Sequence, residues 1–206
     1  MARLIGLSGP QGGGKTTLLE GLKDKGIVVD DFKVSREVQK QLGWDSLSNV
    51  MESPETMMAF QAKVRDVKYV RELENIERKD VDIIMTERTF ADIVTYTQLW
   101  TWELVDSGKW ELGEAIRFLM DYVKLCSENQ KVYSGNLILP SMPHVRFQAD
   151  PHRADQRHID FVSTQMDRFF EEVHPRNIPY KKIKSLSVED RVEESYHWIS
   201  KAVRGY

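Results

Sequence analysis

The sequence has one cysteine, Cys126, in 206 residues. No disulfide can close within the chain, and a reducing cytoplasm is the expected setting. It lacks any apolar run near the roughly 20 residues that span a bilayer, so no membrane partner is expected. Strand-like sequence starts at residue 3 and is expected to leave no room for a secretory leader. The charges nearly balance, at a net −3. There is thus no global basic field of the kind a large nucleic-acid footprint needs, although a local one stays open. The five histidines show no zinc-binding spacing. Repeats and low-complexity linkers are absent too. What remains is one α/β domain over residues 1–206, large enough to bury a core.

What is present begins with Gly9-Pro10-Gln11-Gly12-Gly13-Gly14-Lys15-Thr16. It fits the phosphate-binding pattern G-x-x-x-x-G-K-[ST]. Gly12, Gly13 and Gly14 let the backbone turn so that successive N–H groups converge on a polyphosphate, with a helix N-terminus behind them. Lys15 is placed to reach the β- and γ-phosphates, and the Thr16 hydroxyl to take a position on Mg²⁺. The apolar run Arg3-Leu4-Ile5-Gly6-Leu7 before the loop reads as a buried strand. The segment from Thr17, with Leu18, Leu19 and Leu22, reads as a helix ending near Gly26. Strand, glycine loop and helix are the context this motif requires. The expected ligands are therefore ATP and Mg²⁺, held by Gly9, Gln11, Gly12, Gly13, Gly14, Lys15, Thr16 and Thr17, with Lys15 also catalytic.

Four further strands are expected: Ile27-Val28-Val29, Val81 to Met85, Asn136 to Pro140 and Tyr180 to Ile183. Alternation with helices predicts a parallel sheet with ligands at the strands' carboxyl ends. Asp30-Asp31 ends the second strand, which makes Asp31 a candidate general base and Asp30 a substrate contact, or else a helix cap. Arg36 follows as a candidate phosphate clamp. Ser53-Pro54-Glu55 opens a long helix with a serine cap and a first-turn proline. Its expected core stripe is Met57, Phe60, Val64, Val67, Val70, Leu73 and Ile76. Gln61 and Arg65 sit one turn apart, and a glutamine amide offers a donor and an acceptor side by side for a base edge.

After the third strand, Thr86 stands where a motor ATPase shows an aspartate, and Glu87-Arg88 follows. A carboxylate beside a guanidinium suits metal or hydroxyl handling with phosphate clamping. A helix to Leu104 comes next, with Asp92 either capping it or facing the crevice. In a helix over 110–131, Ile116, Leu119, Met120 and Val123 are expected inward. Arg153 and Arg157, after a proline-rich stretch, form a candidate lid over 141–157 able to reach one anion. Residues 176–184 are locally basic, the one candidate strip for nucleic acid. Ser187 to Asp190 opens the last helix.

Together these sites resemble the P-loop kinases of small nucleosides and nucleotides: deoxynucleoside kinases, thymidylate kinase and ribosylnicotinamide-kinase-like domains, many of them carried by phages. The resemblance spans nearly the whole chain. It implies a three-layer P-loop fold with a central five-stranded parallel sheet and a short lid. Phe60-Gln61 looks like the base-reading Phe-Gln of deoxynucleoside kinases, Glu87-Arg88-Thr89 like their Glu-Arg-Ser, and Arg153 with Arg157 like their lid arginines. The adenine loop would fall at 185–187. Asp-Asp-Phe replaces the usual Glu-Pro after the second strand, and the aspartate-arginine pair of thymidylate kinase is missing after Phe60. The implied activity is ATP-dependent phosphoryl transfer. Arg36, Arg65 and Arg88 favour a (deoxy)nucleoside monophosphate acceptor. A deoxynucleoside kinase, or a kinase of a hydroxymethylated base in DNA, is the alternative. A homodimer stays open. A GTPase would need Asn-Lys-x-Asp, which is absent.

Overall fold

The structure, a computed structural model, describes residues 1–141 and 156–204. Five strands form one sheet: β1 (Arg3–Ser8), β2 (Val28–Asp30), β3 (Ile83–Glu87), β4 (Gly135–Ile138) and β5 (Tyr180–Lys182). Their spatial order is β2-β3-β1-β4-β5, and every pairing is parallel. All five expected strands are present, each within two or three residues of its expected bounds. The helices are α1 (Lys15–Asp24), α2 (Val34–Gln41), α3 (Pro54–Glu77), α4 (Phe90–Asp106), α5 (Leu112–Asn129), α6 (Gln156–Arg168) and α7 (Val188–Arg204).

The period-2 alternation of the strands divides the core in two. Leu4, Ile84 and Ile138 face the larger cluster, built with α2 to α6. Ile5, Leu7, Met85 and Leu137 face the smaller one, where Leu18, Leu19 and Leu22 of α1 meet Val192 and Ile199 of α7. The sheet is therefore covered on both faces, as parallel sheets require.

Gly6 lies where β1 passes beneath the start of α4. A Cβ there would collide with the side chains of Thr89 and Asn136. Gly6→Ala is expected to cost about 1–3 kcal/mol in denaturant unfolding; an unchanged midpoint would show that α4 can move aside.

Two expected core faces need correction. In α3 the stripe begins as expected with Met57, Phe60 and Val64, but Val70 is 56% and Leu73 40% exposed. The buried face continues instead through Lys68, Glu72 and Asn75. Those polar groups satisfy one another, which makes their burial tolerable. In α5, Ile116 and Met120 point outward, and Ala115, Leu119, Tyr122 and Cys126 pack inward. The apolar pattern there is broad enough to suit two adjacent faces. The last stripe of α6 also changes form, passing into a π-helical turn at Phe169–Val173.

Candidate active site

The loop between β1 and α1 has left-handed backbone at Gly12 (φ 76°) and Gly14 (φ 84°), a region that side chains disfavour. Gly14 is also the N-cap of α1, whose first residue is Lys15. Lys15 is buried, and its Nζ donates to Gly9 O (2.6 Å) and Pro10 O (2.9 Å). Burial, and then the nearby Arg88, lower its pKa to about 8. Thr16 and Thr17 are exposed on the first turn.

The end of β3 meets this loop. Arg88 N donates to Leu7 O (3.0 Å), and Arg88 is the only described non-glycine residue at positive φ, 62°. Its guanidinium lies 5.0 Å above the Tyr96 ring. Strained backbone of this kind persists only where surrounding contacts fix it. Here they are numerous. Thr89 and Asp92 form a capping box on α4, with Thr89 N donating to Asp92 Oδ2 at 2.9 Å. Asp92 Oδ1 also accepts from Gly9 N (3.3 Å), so the carboxylate both caps the helix and reaches the glycine loop. Burial lifts the Asp92 carboxyl above its usual range, against the opposing pull of Lys15 and Arg88.

Glu87 pairs with Lys33. Burial pushes its carboxyl up, but Lys33, Lys15 and Arg88 outweigh this and hold it below the usual carboxylate range. Behind it Lys68 Nζ binds Glu72 (2.6 Å), Thr86 Oγ1 (2.7 Å) and Glu87 O (3.0 Å). Thus Thr86 has a structural partner where a motor ATPase would carry an aspartate.

A cleft of about 570 Å³ opens from this junction. Gln11, Lys33, Arg36, Phe60, Gln61, Glu87, Arg88, Asp92 and Trp100 are among its lining residues. Phe60 stacks on Trp44 (5.4 Å between centroids), and Gln61 is only 2% exposed. The Gln61 backbone carbonyl accepts from Tyr122 OH at 2.7 Å. At the far side His158 Nε2 and Glu103 Oε1 are 2.8 Å apart, joining α6 to α4.

Of the sequence-derived candidates, Gln11, Arg36, Phe60, Gln61, Glu87 and Arg88 meet in the cleft. Three others are drawn elsewhere. Asp30 is buried and held by Arg71 (2.9 and 3.0 Å) and Asn75 (2.8 Å), and these partners overcome burial to keep its carboxyl below the usual range. Asp31 is exposed and pairs with Lys23 at 2.7 Å, outside the cleft lining. Arg65 pairs with Asp66 (2.7 Å) and lies over the Tyr122 ring, also outside the lining. Arg157 is exposed on the first turn of α6. Arg153 lies outside the described residues, as does most of the expected lid. Two of the four cations of the basic strip are paired: Lys182 binds Asp167 (2.6 Å) and Lys181 binds Glu194 (3.1 Å).

Lys33, Tyr96, Trp100 and Lys68 were not among the candidates. Lys33 carries a usable signal, one position from Arg36's helix and beside the strand-end aspartates. Lys68 carries none, because its partners come from β3 and from the next turn of its own helix.

An oxygen-seeking Mg²⁺ ion fits the donors present, since Thr16 offers an exposed hydroxyl and Glu87 an ionised carboxylate. Among the described residues no cluster of three or more histidine, cysteine or acidic side chains could hold a metal alone. That suits an ion whose other ligands are nucleotide phosphates and water.

A glycine loop between the central strand of a parallel sheet and the helix behind it defines a P-loop nucleotide-binding protein. The chain belongs to the AAA domain family, whose model matches residues 4–191. No curated protein matches it significantly in sequence. Among solved structures, deoxyadenosine kinase from M. mycoides, with products dCMP and a flexible dCDP bound, is similar to it. The TM-score is 0.63 at 13% identity, over 96% of this chain and 99% of that one. NadR protein in complex with NR gives a TM-score of 0.66 at 12% identity, over 96% of this chain and 51% of that one. This chain thus spans about half the length of NadR.

Proposed function

We propose that the protein is an ATP-dependent kinase that phosphorylates a (deoxy)nucleoside monophosphate. The observation that supports this reading is the cleft itself: its lining brings the cations Lys33, Arg36 and Arg88 together with the nearly buried Gln61. Gln61 suits a base edge and the cations suit an acceptor phosphate. The acceptor would lie between them, with its phosphate turned toward Lys15 and the donor's γ-phosphoryl group. The AAA domain match and the fold shared with a deoxyadenosine kinase are consistent with phosphoryl transfer.

Lys15 and Arg88 would stabilise the charge on the transferring group, which is where such sites act most strongly. A bound Mg²⁺ would neutralise charge between the β- and γ-phosphates, with Thr16 and Glu87 as its holders. A phosphate oxygen is already anionic and needs no general base, in keeping with the location of Asp31 outside the cleft lining. Glu87 favours a second reading, a deoxynucleoside kinase. Its carboxylate is the one strand-end acid in the cleft that could orient a sugar hydroxyl.

Steady-state phosphotransfer on nucleosides and monophosphates, with Arg36→Ala, Arg88→Ala and Asp31→Asn, separates the two. On the preferred reading either arginine change lowers kcat/KM for a monophosphate by about tenfold or more, and Asp31→Asn stays within about twofold. Turnover of nucleosides alone, with Arg36→Ala mild, would establish the second reading. Activity only on hydroxymethylated DNA would remove both.

A further inference from the structure

Arg191, on the first turn of α7, is remote in sequence from the glycine loop and yet binds it. Its Nη1 donates to Gly13 O (3.1 Å), and its Nε donates to Ser185 O (2.8 Å) in the segment after β5. The residue is 3% exposed. Its remaining terminal nitrogen, Nη2, is buried without a partner among the described residues. Unlike most buried guanidinium groups, it has no carboxylate within salt-bridge distance among the described residues. Instead it joins two backbone carbonyls.

Both ends of this brace are otherwise constrained. A Cβ at Gly13 would press against the carbonyls of Pro10 and Pro140, so the loop has little space to shift on that side. Glu194, one turn further along α7, accepts from Lys184 N (3.1 Å), Ser185 N (3.1 Å) and Ser185 Oγ (2.8 Å). Burial raises the Glu194 carboxyl, but these donors and Lys181 outweigh it and bring its pKa to about 2, so the anchor is charged at all ordinary pH. The α7 helix therefore grips the 184–185 segment with one side chain and bridges it to the phosphate loop with another.

We propose that Arg191 is a positioning residue for the phosphate donor: it fixes the glycine loop against the segment after β5, so that phosphate geometry and donor-base placement are set together. The inference rests on residues 9–16 being the ATP loop and on the expected seat of the donor's base at 185–187. Arg191 itself need not touch a phosphate. By holding the Gly13 carbonyl toward α7 it leaves the neighbouring peptide N–H groups free to face the anion, and a forked guanidinium can hold two carbonyls at once where an ammonium holds one well.

Calorimetric titration of the full-length protein with MgATP and with magnesium tripolyphosphate tests this, using Arg191→Met and Arg191→Lys, with thermal unfolding of each variant alone. Arg191→Met is expected to weaken MgATP about tenfold or more and to erase the preference for MgATP over tripolyphosphate. Arg191→Lys, which keeps the charge and one carbonyl contact, is expected to fall between Met and parent; it carries the test if the Met variant does not fold. Equal MgATP affinity in parent and Lys variant, or a parallel loss for both ligands that leaves the preference intact, overturns the proposal. If the parent itself binds neither ligand, the ATP-loop reading fails first, which is a different result.

Discussion

Exchange of Lys15 for methionine is expected to lower phosphoryl transfer about a hundred- to a thousandfold while leaving a cooperatively folding protein. The magnitude is that of removing one pre-placed donor from developing transition-state charge. The fold should survive because Nζ donates only to two backbone carbonyls, those of Gly9 and Pro10, so its removal breaks no direct ion pair among the described residues. The lowered pKa gives a second readout. In the folded protein Nζ titrates at about 8, against 10.5 in an unfolded chain. Between those values the unfolded state binds more protons, so the parent's stability rises with pH through that window. The ammonium needed for catalysis disappears over the same window. The parent's kcat/KM for ATP, which reports the free enzyme, should therefore fall above about pH 8 as its unfolding free energy increases. The methionine variant should lack this alkaline gain in stability. Near-parental turnover in the variant would remove Lys15 from the mechanism.

Lys68→Met carries the largest expected cost in stability, about 3–5 kcal/mol, because it leaves the Glu72 carboxylate buried without its countercharge. Both side chains are fully buried, and Glu72 keeps only Tyr133 OH (3.0 Å) and a long contact from Asn75 (3.3 Å). The end of β3 loses its tether as well, since the same ammonium holds Thr86 Oγ1 and Glu87 O. The double replacement Lys68→Met with Glu72→Leu should recover most of that cost, because an apolar pair of similar volume often substitutes for a buried ion pair. Urea unfolding of parent, single and double variants measures it. A single-variant cost below about 1 kcal/mol would mean that water reaches Glu72.

These two lysines mark the boundary of what local sequence carries. Lys15 was legible because its role follows from spacing within eight residues. The strands, the Ser53 cap on α3 and a capping role for Asp92 on α4 were equally local, and the structure shows all of them, the strands within two or three residues of their expected bounds. Lys68 was not legible: its neighbours Val67 and Val70 suggested a conventional apolar stripe, and the polar face won because Thr86, Tyr133 and Asp30 supply partners from other elements. Asp30 and Asp31 show the same limit. A strand-end carboxylate beside a glycine loop has the location of a catalytic group, but Arg71 and Lys23 claim them from other helices. Gln61 was read from the sequence and does line the cleft; Lys33, which also lines it, required the Glu87 pairing to be seen.

Cys126 gives the molecule a built-in clock. The thiol is fully buried, and burial pushes its pKa up to about 12, so a thiol reagent cannot attack it in the closed structure. It sits one helical turn from Tyr122, whose hydroxyl donates to the carbonyl of Gln61 at 2.7 Å. Any reaction at Cys126 must wait for α5 to part from its neighbours, and that event loosens the backbone at Gln61, which lines the cleft. With no second cysteine to confuse the signal, the labelling rate of the unmodified chain reads how often this layer opens. An acceptor that seats against Gln61 should slow it, and one that binds elsewhere should leave it unchanged.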